Sequence, residues 1–356
     1  YGTYRFLVLP GVFMFTDVVI LAGGFGERLW PASRPDFPKQ FLSIKGGISF
    51  LQNAILRALA LDVTGKIIIA SRKGLETEIA AQCLSLAKNL GGEKAKKITD
   101  DILIIAEPSA KHTAAPIILC CRLLNLLAPN TKHSIIVLTS DHIIEPIENF
   151  VGDAEKAFTA AADGNLVTFG IKPTEPATGY GYIQTELRPE YCDTFKIKCF
   201  TEKPDEHTAQ KYLAAGNCSW NSGMFAFTAD FFITELAKCT PEFADAFAPL
   251  EKASMPELGK IGGINAVTSW KEMDAAVVDK ISNQLLPQAP EVARAVNENY
   301  EEAKVPVIEY AMLQFETATM AWFGRKLTTA STEAQLTFEE LVSGWRAILE
   351  QEIPNR

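Results

Sequence analysis

The stretch that decides the fold is Asp17-Val18-Val19-Ile20-Leu21-Ala22-Gly23-Gly24-Phe25-Gly26-Glu27-Arg28, which runs on through Leu29-Trp30-Pro31 to Pro38-Lys39-Gln40-Phe41. Its short, continuous apolar run predicts a strand buried on both faces, as in parallel sheets. The glycines that follow predict a turn where the backbone approaches a ligand and turns its N–H groups toward phosphate oxygens. In an open α/β sheet, ligands bind at that corner, beyond the carboxyl end of a strand. Arg28 would add a planar fork of donors and Lys39 a mobile point charge; both suit a polyphosphate. Two better-known phosphate loops do not fit. No Lys-Ser or Lys-Thr follows the glycines, as a P-loop needs, and Leu29 stands where GxGxxG requires its last glycine. The plainer alternative is a tight left-handed turn whose glycines serve only geometry, and the two cations weigh against it.

Working outward, further apolar runs at 66–70, 102–106 and 134–139 alternate with helical periodicity over 51–61, 76–90 and 114–127. Alternation of this kind predicts an α/β protein with a doubly wound, mixed but mainly parallel sheet of Rossmann-like form. Residues 166–171, 181–185, 195–201 and 224–228 read as further strands, with one helix over 206–215. From about Phe231 the pattern is mainly helical, at 233–238, 270–285, 291–304 and 338–350. The domain expectation is therefore a catalytic unit over 14–260 and a mainly helical region over 261–356, with 1–13 as a non-native or upstream extension. No internal repeat or low-complexity tract interrupts this order.

Composition narrows the function. Of the 356 residues 47% are hydrophobic and 22% charged, which supports a sizeable core. The net charge of −9 and the lack of a basic stripe argue against nucleic acid as a partner. The apolar residues near the N-terminus are broken by Pro10 and Gly11, too short a run to span a membrane and poor as a signal peptide. The seven cysteines have no CxxC spacing, so reduced thiols in a cytoplasmic enzyme are the plain expectation.

The run LAGGFGERLWPASRPDFPKQF, residues 21–41, closely resembles the signature of the mannose-1-phosphate guanylyltransferases, within the sugar-1-phosphate nucleotidyltransferases. The resemblance continues to about residue 228, with a short echo near 306–313. It implies a nucleotidyltransferase fold and a nucleotide site formed by Leu21, Ala22, Gly23, Gly24, Gly26, Arg28, Lys39, Glu107 and Thr113. Asp141, at the end of the SIIVLT run, inherits the role of a Mg²⁺ ligand, which accords with the preference of that ion for a few carboxylates plus phosphate oxygens. Arg28, Lys39 and Asp141 are the implied catalytic groups. Three motifs, at 178–183, 201–204 and 220–225, resemble the sugar site, with Gly179, Glu202, Lys203 and Asn221 as its contacts. Hexose hydroxyls call for a carboxylate and an amide, and the sugar's phosphate calls for a cation.

The chain also departs from the family pattern. Lys111-His112-Thr113 replaces the usual Arg-Asn-Thr, Glu309 stands where Asp is usual, and the expected second metal-binding Asp is not found. Residues 263–270 echo its segment out of order, with Ala266 in the Asp position. The implied reaction is attack by a mannose 1-phosphate oxygen on the α-phosphorus of GTP, giving GDP-mannose and pyrophosphate. Its nucleophile is already anionic, so no general base is needed. GTP and mannose 1-phosphate are the expected partners, with neither membrane nor nucleic acid, and a homodimer as a further expectation. Two alternatives stay open: a nucleotidyltransferase for another hexose 1-phosphate or NTP, and a non-catalytic sugar-nucleotide sensor or regulatory subunit.

Overall fold

The computed structural model describes residues 15–24, 32–33, 37–45, 47–108, 113–186, 194–239, 247–271 and 273. The chain enters through β1 (Asp17–Leu21), then a small hairpin of β2 (Ser43–Lys45) and β3 (Ile48–Ser49). Next come α1 (Phe50–Ala60), β4 (Ile67–Arg72), α2 (Glu76–Leu90), α3 (Gly92–Asp101), β5 (Ile102–Glu107), α4 (Ala114–Leu127) and β6 (Ser134–Thr139). After α5 (Ile147–Ala162) follow β7 (Val167–Ile171), β8 (Tyr182–Thr185), β9 (Ile197–Thr201), α6 (Glu206–Ala215), β10 (Cys218–Thr228) and α7 (Ala229–Cys239). A last hairpin is made of β11 (Glu257–Ile261) and β12 (Ile264–Ser269).

All strands except β2 and β3 form one ten-stranded sheet in the order β11-β12-β5-β4-β1-β6-β10-β8-β9, with β7 also paired to β10. The centre, from β12 through β5, β4 and β1 to β6, is parallel, and antiparallel strands extend it on both sides. β1 is buried on both faces, as its apolar run predicts. Val18 and Ile20 pack with Ile55 of α1, Ile79 of α2 and Ala154 of α5. Val19 faces the other way, toward Ile118 and Leu119 of α4. Helices thus cover both faces, which is the doubly wound arrangement.

α1 starts where Ser49 can cap it. The Ser49 hydroxyl accepts from Gln52 N at 3.1 Å, and Ser49 N donates to Gln52 Oε1 at 3.0 Å. Gln52 then donates to Gln82 O at 2.9 Å, tying α1 to α2. At the amino end of the parallel strands, the buried Asp17 carboxylate is a hub. It accepts from Thr16 Oγ1 at 2.7 Å and from Lys66 N at 2.8 Å, and lies 2.7 Å from His133 Nδ1. Burial lowers the affinity of His133 for a proton, but its bonds to Asp17, Ala128 and Leu124 outweigh that and hold its pKa above the ordinary value.

Three findings differ from the sequence expectations. Residues 257–269 form a hairpin rather than helix, turned by Gly262 (φ 55°) and Gly263 (φ 97°). β12 alternates, with Ile264 and Ala266 buried, and adds in parallel to β5, so the boundary expected after residue 260 falls inside this hairpin. β10 begins at Cys218, six residues before the strand expected from 224, because a bulge hides its period. Among the described cysteines, Cys83, Cys120, Cys121 and Cys218 are buried thiols, whereas Cys199 and Cys239 are exposed. The extension at 1–13, the helices at 291–304 and 338–350, almost all of 270–285, and residues 305–312 lie outside the described residues.

Asp17→Asn should cost roughly 2–3 kcal/mol of stability, since it unbalances a buried network of three donors. A raised folded-state histidine pKa stabilises in full below its ordinary value and progressively less above it. The gap between wild type and variant in urea unfolding should therefore shrink as pH rises from about 6 to about 8.

Candidate active site

The carboxyl end of β1 is fixed from both sides. Ala22 N donates to Ala70 O at 2.7 Å on the β4 side, and Ser140 N donates to Leu21 O at 3.1 Å on the β6 side. The Pro38-Lys39-Gln40-Phe41 segment returns to the same corner as a single 3-10 turn over Lys39–Phe41. Buried Gln40 donates from Nε2 to Ala22 O at 2.8 Å, and Phe41 sinks into the core. Lys39, just before these two anchors, is half-buried at the same corner. There its ammonium forms an ion pair with Asp141. The lysine and the aspartate named from sequence therefore meet, although 102 residues separate them.

Asp141 sits in a charged setting. Burial raises its proton affinity, but the Lys39 ion pair, with a smaller effect of His142, outweighs this and holds the carboxyl below the ordinary range. The carboxylate therefore favours its ionised form. Burial, followed by Arg57 and Lys39, lowers the pKa of His142 against the pull of Asp141, so the imidazole favours its neutral form.

Arg57 was not singled out by the sequence reading. It lies on α1, is 1% exposed, and donates to Thr139 O at 3.0 Å and to His142 O at 2.7 Å. These two carbonyls bracket Ser140 and Asp141. Burial lowers its pKa to about 10 against the favourable field of Asp141. The available signal was an arginine inside the apolar stripe LQNAILRALA, where a surface lysine-type role makes no sense.

Glu107 ends β5 beside the same corner. A carbon added at Gly23 would lie 3.6 Å from Glu107 Oε1. Its side chain is buried, Oε2 has no hydrogen-bond partner among the described residues, and burial raises its pKa to about 8. Leu21, Ala22, Gly23 and Gly24 lie along the corner, with Gly24 exposed. Thr113 precedes α4 as its N-cap without a side-chain capping bond. Gly26 and Arg28 lie outside the described residues.

The three sugar-site motifs fall on adjacent strands. β8 pairs with both β9 and β10, bringing Tyr182 opposite Thr201 and Trp220. Asn221 N donates to Gly181 O at 2.8 Å. A carbon at Gly181 would lie 2.6 Å from Phe200 Cζ and 2.7 Å from Glu202 Oε2, so the glycine is what lets the carboxylate lie against the backbone. Gly179, the glycine expected to admit the sugar, has open space around it. Glu202 and Lys203 are exposed and paired at 3.0 Å, and Lys203 has a positive φ of 42°.

No group of three or more His, Cys, Asp or Glu side chains gathers to hold a metal among the described residues. A lone ionised carboxylate such as Asp141 still fits a cation that takes its remaining oxygens from phosphate and water.

A ten-stranded sheet with a parallel centre, a glycine corner at β1 and a facing Lys–Asp pair are the frame of a nucleotide-handling transferase. The Nucleotidyl transferase family model matches residues 17–265, and the chain belongs to that family. Enzymes of this family generally work with a divalent metal. Among curated proteins, the chain is 37% identical over 227 residues to a mannose-1-phosphate guanylyltransferase of Escherichia coli, covering 63% of this chain and 46% of the relative. It is 40% identical over 233 residues to mannose-1-phosphate guanylyltransferase RfbM of Salmonella typhimurium, covering 64% and 45%. The chain thus spans about half the length of the curated relatives it matches. A crystal structure from Thermus thermophilus, described as a mannose-1-phosphate geranyltransferase, superposes with a TM-score of 0.55 at 29% identity, covering 68% of this chain and 66% of that one. A mannose-6-phosphate isomerase structure from Helicobacter pylori, at 24% identity and TM-score 0.56 over 73% and 87%, shares the fold. Among the described residues no helix is long and apolar enough to cross a membrane.

Arg57→Met leaves two buried carbonyls unpaired and should lower stability by roughly 2–4 kcal/mol, with Arg57→Lys costing less. Denaturant midpoints of both variants, read against wild type, check this order.

Proposed function

We propose that the protein transfers GMP from GTP to mannose 1-phosphate, giving GDP-mannose and pyrophosphate. The observation that carries the reading is the convergence of Lys39 and Asp141 over the glycine corner of β1. A phosphate chain laid on that corner would meet backbone N–H groups from the glycine turn and the Lys39 ammonium. Asp141 would hold Mg²⁺, which on binding supplies charge neutralisation to the phosphate oxygens. Arg28 is part of the same proposal as a second cation on the phosphates.

In the reaction, a phosphate oxygen of mannose 1-phosphate forms a bond to the α-phosphorus of GTP. The bond from that phosphorus to the bridging oxygen breaks, and pyrophosphate leaves with its electron pair. No proton need be removed from the nucleophile, which suits a site whose histidine favours the neutral form. The protein's part is alignment, and a lysine that leaves its aspartate for the departing oxygens stabilises the charge they gain.

Glu107 is the proposed reader of the base. Its two oxygens match the adjacent N1–H and N2–H₂ donors of guanine, whereas adenine offers only one donor on that edge. On the sugar side, Glu202 and Asn221 would take hydroxyls and Lys203 the phosphate, with the chain near Gly179 flanking the same pocket.

The direct test incubates purified protein with GTP, mannose 1-phosphate and Mg²⁺ and follows GDP-mannose and pyrophosphate together. Formation of both in equal amounts is expected; binding of GDP-mannose with no turnover overturns the reading. Lys39→Met should lower kcat by roughly 100-fold or more, with the protein still folded. Because a carboxyl that titrates at about 8 must lose its proton to accept from guanine, the KM for GTP should fall as pH rises toward about 8. Glu107→Gln should flatten that slope and weaken the preference for GTP over ATP, measured as a ratio of kcat/KM.

A further inference from the structure

β10 carries a bulge at the point where the sugar-site and metal-site ends of the sheet meet. Against β7, Asn221 lies opposite Gly170 and Phe225 lies opposite Thr168, so Ser222, Gly223 and Met224 loop out of register. Gly223 has φ 71°, and a carbon added there would lie 3.4 Å from the Thr139 methyl on β6. The bulge therefore presses against the strand that delivers Asp141, while its first residue, Asn221, sits at the sugar-site motif.

The side chain of Asn221 is held by one end only. Its Oδ1 accepts from Gly223 N at 3.2 Å and from Thr168 Oγ1 at 3.0 Å. A backbone N–H is a donor without alternative, so the atom facing Gly223 must be the oxygen; this fixes which way the amide is turned. Thr168 Oγ1 also lies 3.2 Å from Met224 O, so its single proton stands between two carbonyl oxygens, both belonging to the bulge. The Asn221 amide nitrogen, by contrast, has no partner among the described residues, and the residue is half-buried. Two donors are thus left pointing away from the bulge. Gly181 O is already taken by the Asn221 backbone N–H, and Glu202 Oε2 lies beside Gly181.

Resting on the sugar-phosphate reading above, we propose that Thr168 is a positioning residue that locks the Asn221 amide with its nitrogen toward the sugar. Asn221 then acts as a donor to a hydroxyl or phosphate oxygen of the acceptor substrate, and Glu202 supplies the complementary acceptor. One donor on β10 and one acceptor just past β9, with β8 between those strands, would read the orientation of a hexose, not merely its presence. Thr168 itself touches neither substrate.

Thr168→Val keeps the shape and β-branching but removes the proton, and Thr168→Ser restores it. The KM for mannose 1-phosphate should rise roughly 5- to 10-fold in T168V, the effect of one hydrogen bond, with the KM for GTP unchanged. T168S should return it to within about twofold of wild type. Asn221→Asp, which puts an acceptor where the donor stood, should raise the same KM, with no rescue by T168S in the double variant. Equal sugar KM in T168V and wild type, at matched thermal stability, overturns the proposal. If T168V does not fold, the wild-type protein decides: with ¹⁵N-labelled asparagine, addition of mannose 1-phosphate should shift the Asn221 side-chain NH₂ signal, and an unmoved signal at saturation overturns it. Wild type that makes no GDP-mannose refutes the underlying function, whereas active wild type with an indifferent T168V refutes only the role of Thr168.

Discussion

The rest of the site depends on one electrostatic contact, the pairing of Lys39 with Asp141 across the end of β1. The lysine's turn is fixed by a neutral hydrogen bond, and the aspartate's loop by another together with the buried Arg57 guanidinium. Gln40 ties the lysine's turn to Ala22 O, and Ser140 N ties the aspartate's loop to Leu21 O. Both anchors are main-chain oxygens at the end of one strand. The distance between the two charges is therefore set by the sheet, and side-chain freedom only closes the final gap. A pair of this kind, half-exposed, adds little to stability. Its worth is that it keeps two opposite charges side by side at the glycine corner of β1.

The burial of Arg57 supports the same corner from below. Moving a guanidinium out of water is costly, and two backbone carbonyls recover only part of that cost. Its position beneath residues 139–142 gives the loop carrying Asp141 a rigid floor. Glu107 shows the complementary case: a carboxyl whose burial leaves one oxygen unpaired and its proton held to about pH 8. Strained or unsatisfied groups tend to gather where function requires them, and here both cluster around the ends of β5 and β6.

The sequence made the parallel core legible because β1, β4, β5 and β6 are apolar on both faces, and only a sheet covered by helices can bury them. The Lys39–Asp141 meeting was readable through the family signature, since nothing local links residues so far apart. What escaped had a physical cause in each case. The β11–β12 hairpin lay behind a turn of two glycines and a strand with only two buried residues. Arg57 stood out only as a charge inside an apolar stripe; its hydrogen-bond partners, like those of Thr168, are oxygens distant in the chain that no period or spacing reveals. Gly181 could be recognised as part of a motif, but what a side chain there would meet, the Phe200 ring and the Glu202 carboxylate, comes from far along the chain.

The bulge in β10 also bears on how this protein can change over time. The strand has two jobs at its two ends, pairing with β8 before Asn221 and with β6 after Gly223. Substituting Ser222 or Met224 alters a side chain, whereas any side chain at Gly223 would also strain a left-handed backbone. Adding or deleting a single residue would instead rotate one half of the strand by a face, moving either Asn221 or the buried Ala226 and its neighbours to the wrong side. Drift in this segment is thus tolerated in chemistry but not in count, and its length is the trait that selection can least afford to vary.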